Sequence, residues 1–176
     1  MPNLVFTLIG PEVTTDYEEG QNLLDVIRES LGVTSEGMLV SDRNWRYGEI
    51  RDYIPNRYVN KAIGFPSDDT QLTFWALEQM VADGGFVPDN VAKRFLNDRI
   101  FGLGSSVREF LQNYCSGSPW HRSGPASAGN GAIMRISPVL IPHLKTGGTD
   151  IWVDTALCAM MTHNDTSSIS ACIAFV

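Results

Sequence analysis

The sequence predicts an all-α fold. Beyond residue 67, apolar residues recur at helical spacing in one segment after another. No segment shows the clear alternation of a half-buried strand. Glycine pairs, prolines and Ser or Asp stand between the periodic segments, where helices stop and start.

The first sixty or so residues carry the least signal. Leu23, Leu24, Ile27 and Leu31 are spaced as on a helix over 22–31, with Gly32 as a stop. Residues 40–66 are polar and aromatic, broken by Pro55, Gly64 and Pro66, and read as a long loop or short irregular elements. From Ser67 the chain becomes regular. A first strong helix starts near Asp68 with Leu72, Trp75, Ala76 and Met80 on one face, and Gly84-Gly85 ends it near Asp83. A second begins at Pro88, a favoured first helical residue, and carries Val91, Phe95, Leu96 and Ile100. A third follows Ser105 or Ser106, with Val107, Phe110, Leu111 and Tyr114 inward. A glycine- and serine-rich loop over 115–130 leads to a short helical segment after Gly131. A fifth helix spans about 150–161. A sixth starts after Asp165, a good N-cap, and is still apolar at Val176. That helix has no stop signal, so it reads either as a short buried C-terminal helix or, in the favoured reading, as the end of a cut piece that leaves an apolar face on Ile169, Cys172, Ile173 and Phe175. The chain is long enough to bury a core of its own.

Charge narrows the partners. Twenty acidic residues against 13 basic ones give a net charge of −7, so phosphate backbones would be repelled and direct nucleic-acid binding is not expected. Carboxylates gathered in a cleft would instead welcome a cation. The three cysteines, Cys115, Cys158 and Cys172, form no CxxC pair and argue against a disulfide framework. Cys158 and Cys172 sit in apolar stretches and read as small hydrophobes. The amino terminus is a poor signal peptide and no stretch is long enough for a bilayer span, so a cytoplasmic protein without a membrane partner is expected.

Three motifs carry chemistry. In Ser67-Asp68-Asp69-Thr70, adjacent carboxylates and hydroxyls at a helix start present hard oxygens suited to Mg2+ or Mn2+. The same residues also serve helix starts as caps and as partners of the helix dipole, and taken alone the motif favours that reading. In SAGNGAIMRISP, Gly129 and Gly131 permit close backbone approach and unusual φ, and the loop offers N–H groups to phosphate as it enters a helix. Asn130 adds a donor and an acceptor for a ribose hydroxyl. The loop is neither a dinucleotide fingerprint nor an NTPase phosphate loop, and alone it is an ordinary glycine-rich turn. In MTHND, His163 follows an apolar helical run, where a lone histidine is more often packed or capping than a ligand.

Together, in type, order and spacing, SDDTQLTFWAL, SAGNGAIMRISP and MMTHND resemble the ADP-ribosylglycohydrolase family over about 65–176, with 1–64 a poorly matched N-terminal region. The resemblance implies a compact multi-helix bundle with a central cleft, incomplete at the C-terminus. It implies that Ser67, Asp68 and Asp69 ligate one or both ions of a binuclear Mg2+ site. Ser127, Gly129, Asn130 and Gly131 would line the diphosphate and ribose, His163 would help position the ligand, and Arg135 would support the loop from behind. Paired metals can orient a ribose, hold a nucleophilic water and stabilise charge at the anomeric carbon. The substrate implied is an ADP-ribosylated protein or a small ADP-ribose conjugate, cleaved at its N- or O-glycosidic bond. Three departures stand beside this. The family's G-D-A-L-G-like opening is not found, the chain stops at Val176 before the place of the family's late D-x-D-(T/S) motif, and Ala128 stands where some relatives stack an aromatic on adenine. Trp120 or His121 is a candidate substitute, and no catalytic acid or base is assigned. A non-catalytic ADP-ribose-binding or structural relative, and an inactive truncated fragment, are the competing readings.

Overall fold

The structure, a computed structural model, describes residues 3–6, 13–16, 34–35, 37–50, 52–56, 58, 60–62, 64, 66–144 and 147–176. It divides into two units, Met1–Pro66 and Ser67–Val176. The helix expected over 22–31 lies outside the described residues.

In the first unit, β1 (Asn3–Phe6) pairs antiparallel with β2 (Val13–Asp16), in a register that sets Leu4 opposite Thr15 and Val5 opposite Thr14. Four residues per strand are too few to show a period, which is why the alternation is not visible in the sequence. The β-branched and aromatic residues Val5, Phe6, Val13, Thr14 and Thr15 nevertheless favour extended backbone. The unit also holds a helix, α1 (Val40–Tyr47), where a long loop or short irregular elements were expected. Its turns bury no residue, and Trp45 is 90% exposed. Only Val40, Trp45 and Tyr47 of its eight residues are apolar, too few for periodicity to announce it. Gly48, at φ 64°, stops it.

The second unit is all-α among its described residues. In chain order it contains α2 (Asp68–Asp83), α3 (Pro88–Arg94), α4 (Ser105–Cys115), α5 (Trp120–Ser123), 3-10 turns at Ile133–Arg135 and Ser137–Val139, α6 (Leu140–His143), α7 (Asp150–Met160) and α8 (Thr166–Phe175). α2 ends as the sequence suggests. Gly84 is left-handed at φ 72°, and the amides of Gly84 and Gly85 return to Val81 O and Met80 O, closing the last turn. α3 stops earlier than expected. Phe95 is its C-cap, and turn-favouring Asn97 and Asp98 follow, so Leu96 lies partly exposed while Phe95 is buried. Asp165 caps α8, its Oδ1 accepting the Ser167 amide at 2.8 Å.

One core joins these helices. Leu72, Ala76 and Met80 of α2 meet Val91 and Ala92 of α3, Val107 and Phe110 of α4, and Cys158, Ala159 and Cys172 of α7 and α8. Each large apolar side chain fully buried there contributes on the order of 1.5–3 kcal/mol. The Tyr114 hydroxyl donates to Asp89 Oδ1 at 2.8 Å, fastening α4 to α3. On α8 the expected apolar face is divided: Cys172 is buried, Ile169 and Val176 pack against the core, and Phe175 is 57% exposed. Among the described residues no helix is long and apolar enough to cross a membrane.

Candidate functional site

The SDDT residues open α2. Ser67 sits at the N-cap with extended backbone, yet its side chain makes no capping bond. Ser67 and Asp68 are buried and Asp69 is half-buried. Asp68 reaches away from its own helix. Its Oδ2 accepts the amide of Gly104, the N-cap of α4, at 3.1 Å. One turn on, Thr73 donates to Asp69 O at 2.6 Å and approaches Met134 O at 3.3 Å, just past the glycine loop.

The glycine loop meets the same end of α4. Ser106, in the first turn of α4, bonds Ser127 through their hydroxyls at 2.8 Å. Asp68 and Ser127 are thus anchored two residues apart on one helix start. Ser127 Oγ in turn lies 3.4 Å from the Gly129 amide that donates to it. Gly129 O accepts from Ser168 of α8 at 3.1 Å, and Asn130 is exposed with its carbonyl taken by Ile133 N.

Gly129 and Gly131 serve by what they lack, since neither has positive φ. The unusual backbone expected of them is absent, and close approach is their use. A Cβ at Gly131 would stand 2.7 Å from Cε1 and 2.9 Å from Nε2 of His163. At Gly129 the same atom would be 3.5 Å from the ring, an ordinary contact. His163 itself is held by the end of α7, its amide bonded to Ala159 O at 3.0 Å. The ring is 4% exposed. Burial, followed by the nearby Arg135 charge, pulls its pKa down to about 4, so it is neutral at pH 7.

Arg135 lies behind the loop, 1% exposed. Its Nη1 contacts Cys158 Sγ at 3.1 Å, and its Nη2 donates to Cys158 O at 2.8 Å and Thr162 Oγ1 at 2.6 Å. The guanidinium also stands 5.7 Å over the Phe95 ring. Burial pushes the Cys158 thiol up, away from thiolate, which leaves it inert packing. Trp120 packs against the core, edge-on to His121 at 5.4 Å. Ser168 and Thr73 were not singled out from sequence, and Ser106 was named only as a helix start, because lone hydroxyls on helices carry no pattern.

Three helix starts and one loop therefore hold all three motifs in one connected network. A family model described as ADP-ribosylglycohydrolase matches residues 27–176. The chain belongs to the ADP-ribosylglycohydrolase family. The match reaches further toward the amino terminus than the three motifs do. Relatives of this hydrolase family include the ADP-ribosylarginine hydrolase Tri1 of Pseudomonas putida, 25% identical over 93% of this chain and 46% of its own. Another is the ADP-ribosyl-[dinitrogen reductase] glycohydrolase of Rhodospirillum rubrum, 26% identical over 94% of this chain and 57% of its own. An uncharacterized protein of Archaeoglobus fulgidus is 29% identical over 84% of this chain and 50% of its own. The chain spans about half the length of the curated relatives it matches. A solved ADP-ribosylglycohydrolase-related protein complex shares the fold, with a TM-score of 0.61 over 84% of this chain and 49% of that one, at 23% identity.

Proposed function

We propose that this ADP-ribosylglycohydrolase-family chain contributes the ligand-facing half of a site that removes ADP-ribose from a modified protein or small conjugate, with Mg2+ or Mn2+ as cofactor. The observation that carries the reading is the path from Asp68 through Gly104 and Ser106 to Ser127, and on to Gly129 and His163. It supports a reading in which Asp68 stands near a loop able to take a diphosphate.

The donor chemistry fits the cation. Ser67, Asp68 and Asp69 offer hard oxygens, and Mg2+ commonly binds one or two carboxylates while keeping waters and substrate oxygens. Among the described residues no group of three or more His, Cys, Asp or Glu side chains gathers for a metal; on this reading Ser67, Asp68 and Asp69 would supply only one side of a coordination shell. When bound, the metals would orient a ribose and stabilise charge developing at the anomeric carbon. The chain's own residues do the rest. Ser127 and the amides near Gly129, Asn130 and Gly131 receive the diphosphate and ribose, and the neutral His163 ring positions an oxygen of the ligand. Cleavage falls on the N- or O-glycosidic bond to the carrier.

The test is calorimetric titration of the purified chain with ADP-ribose, with and without Mg2+, beside release of ADP-ribose from an ADP-ribosylated protein. Mg2+-enhanced binding lost in Asp68→Asn and Asn130→Ala is expected. Undetectable binding under all conditions sinks the reading. Binding without release favours the non-catalytic ADP-ribose-binding alternative.

A further inference from the structure

The histidine of the MTHND motif is joined to the arginine of the glycine-loop motif by one hydroxyl. Thr162 Oγ1 lies 2.6 Å from Arg135 Nη2 and 2.9 Å from His163 Nδ1. All three side chains are buried, Thr162 completely.

We propose that Arg135 and Thr162 act as positioning residues that fix His163 in the tautomer carrying its proton on Nε2, so that the ring presents a hydrogen-bond donor to the glycine loop. The assignment follows from donor inventory. A guanidinium has only donors, so Thr162 Oγ1 must accept from Arg135. The hydroxyl proton is then directed to the other partner, His163 Nδ1, which must be unprotonated to receive it. The opposite tautomer would aim Nδ1–H at an oxygen already accepting from Arg135. It would also strand the hydroxyl proton in a site without water access, a costly loss. The ring is neutral at pH 7, so it carries one proton, and that proton belongs to Nε2. Nε2 is the edge that faces Gly131 and Gly129. The Nε2–H therefore points where, on the reading proposed above, ligand oxygens sit. That donor would recognise a ribose or diphosphate oxygen and would discriminate against a group that can only donate.

Nitrogen-15 NMR of the full chain labelled at its histidines tests this without any ligand. The signals of His163 are identified by their loss in His163→Gln. Wild type should show Nε2 protonated and Nδ1 bare at pH 7. In Thr162→Val the ratio of the Nε2–H to the Nδ1–H form should fall by roughly tenfold or more, and Thr162→Ser should restore it. A proton on Nδ1 in the wild type overturns the relay. So does an unchanged ratio in Thr162→Val. If the valine variant does not fold, the wild-type spectrum still decides. Addition of ADP-ribose separates the two claims: a fixed Nε2–H signal that ignores ADP-ribose upholds the relay and removes the ligand reading.

Discussion

Gly131 and His163 are in contact so close that residue 131 has no room for a side chain: a Cβ there would lie 2.9 Å from Nε2 of the ring. Gly129 is looser, 3.5 Å from the same ring. Both have φ that any residue can adopt, so the difference between them is steric alone. Gly131→Ala should destabilise the fold by about 1–3 kcal/mol and weaken ADP-ribose binding at least tenfold. Gly129→Ala should stay within about 1 kcal/mol of wild type. Urea denaturation of both variants checks this, and equal losses would contradict it.

Stability should depend on pH through His163. Its folded pKa, about 4, lies below the ordinary value of 6.5, so the unfolded chain takes up the proton first. The contribution is complete above pH 6.5 and is lost as pH falls toward 4, by up to about 3 kcal/mol. His163→Gln should flatten this window. A denaturation midpoint with the same slope from pH 6.5 to 4 in both proteins would count against it.

Asp68→Asn separates charge from structure. The amide oxygen can still accept from the Gly104 amide, so the loss of stability should stay near the roughly 0.3–1 kcal/mol that a carboxylate in a helix's first turn contributes. Mg2+ affinity should fall at least tenfold because a hard anionic ligand is gone. Calorimetry of the variant with Mg2+ alone gives the answer; unchanged affinity would remove Asp68 from the cation site.

Asp165→Ala should cost about 1 kcal/mol, since its carboxylate caps α8 through the Ser167 amide. The same urea titration measures it, and a neutral substitution would deny the cap its role.

Thiol labelling should discriminate among the cysteines. Cys115 is exposed, while Cys158 and Cys172 are buried and burial raises both thiol pKa values. Under native conditions a maleimide should modify one cysteine, and three only in denaturant. Prompt modification of Cys158 in the folded chain would contradict the packing described here.

The longer helices from α2 onward were legible because of an apolar face and punctuation, Gly84 after α2, Pro88 at α3, Asp165 at α8, whereas α5, one turn at Trp120–Ser123, falls inside the stretch read as a loop. α1 was not legible either, because three apolar residues in an eight-residue helix that buries nothing are too few to set a period. In the site, the residues named from sequence were those in dense local motifs. Capping, the bland reading of SDDT, accounts for part of what is seen, since Asp68 does sit in the first turn; its bond to Gly104 comes from a residue far along the chain, which no local pattern reveals. Thr162 was visible only as a neighbour of His163. Its meaning depends on Arg135, and nothing in either stretch of sequence says that the two side chains meet.

The glycine loop is tethered on both flanks, by Ser106 of α4 through Ser127 and by Ser168 of α8 at Gly129 O. A glycine-rich segment left untied would sample many backbone states and surrender that freedom when a ligand arrives. Here the two serines have already taken most of it during folding. The loop is preorganised, and association should carry a small entropic penalty and a fast on-rate. Cutting either tether, by Ser106→Ala or Ser168→Ala, should return that penalty to the binding step even though neither hydroxyl need touch the ligand.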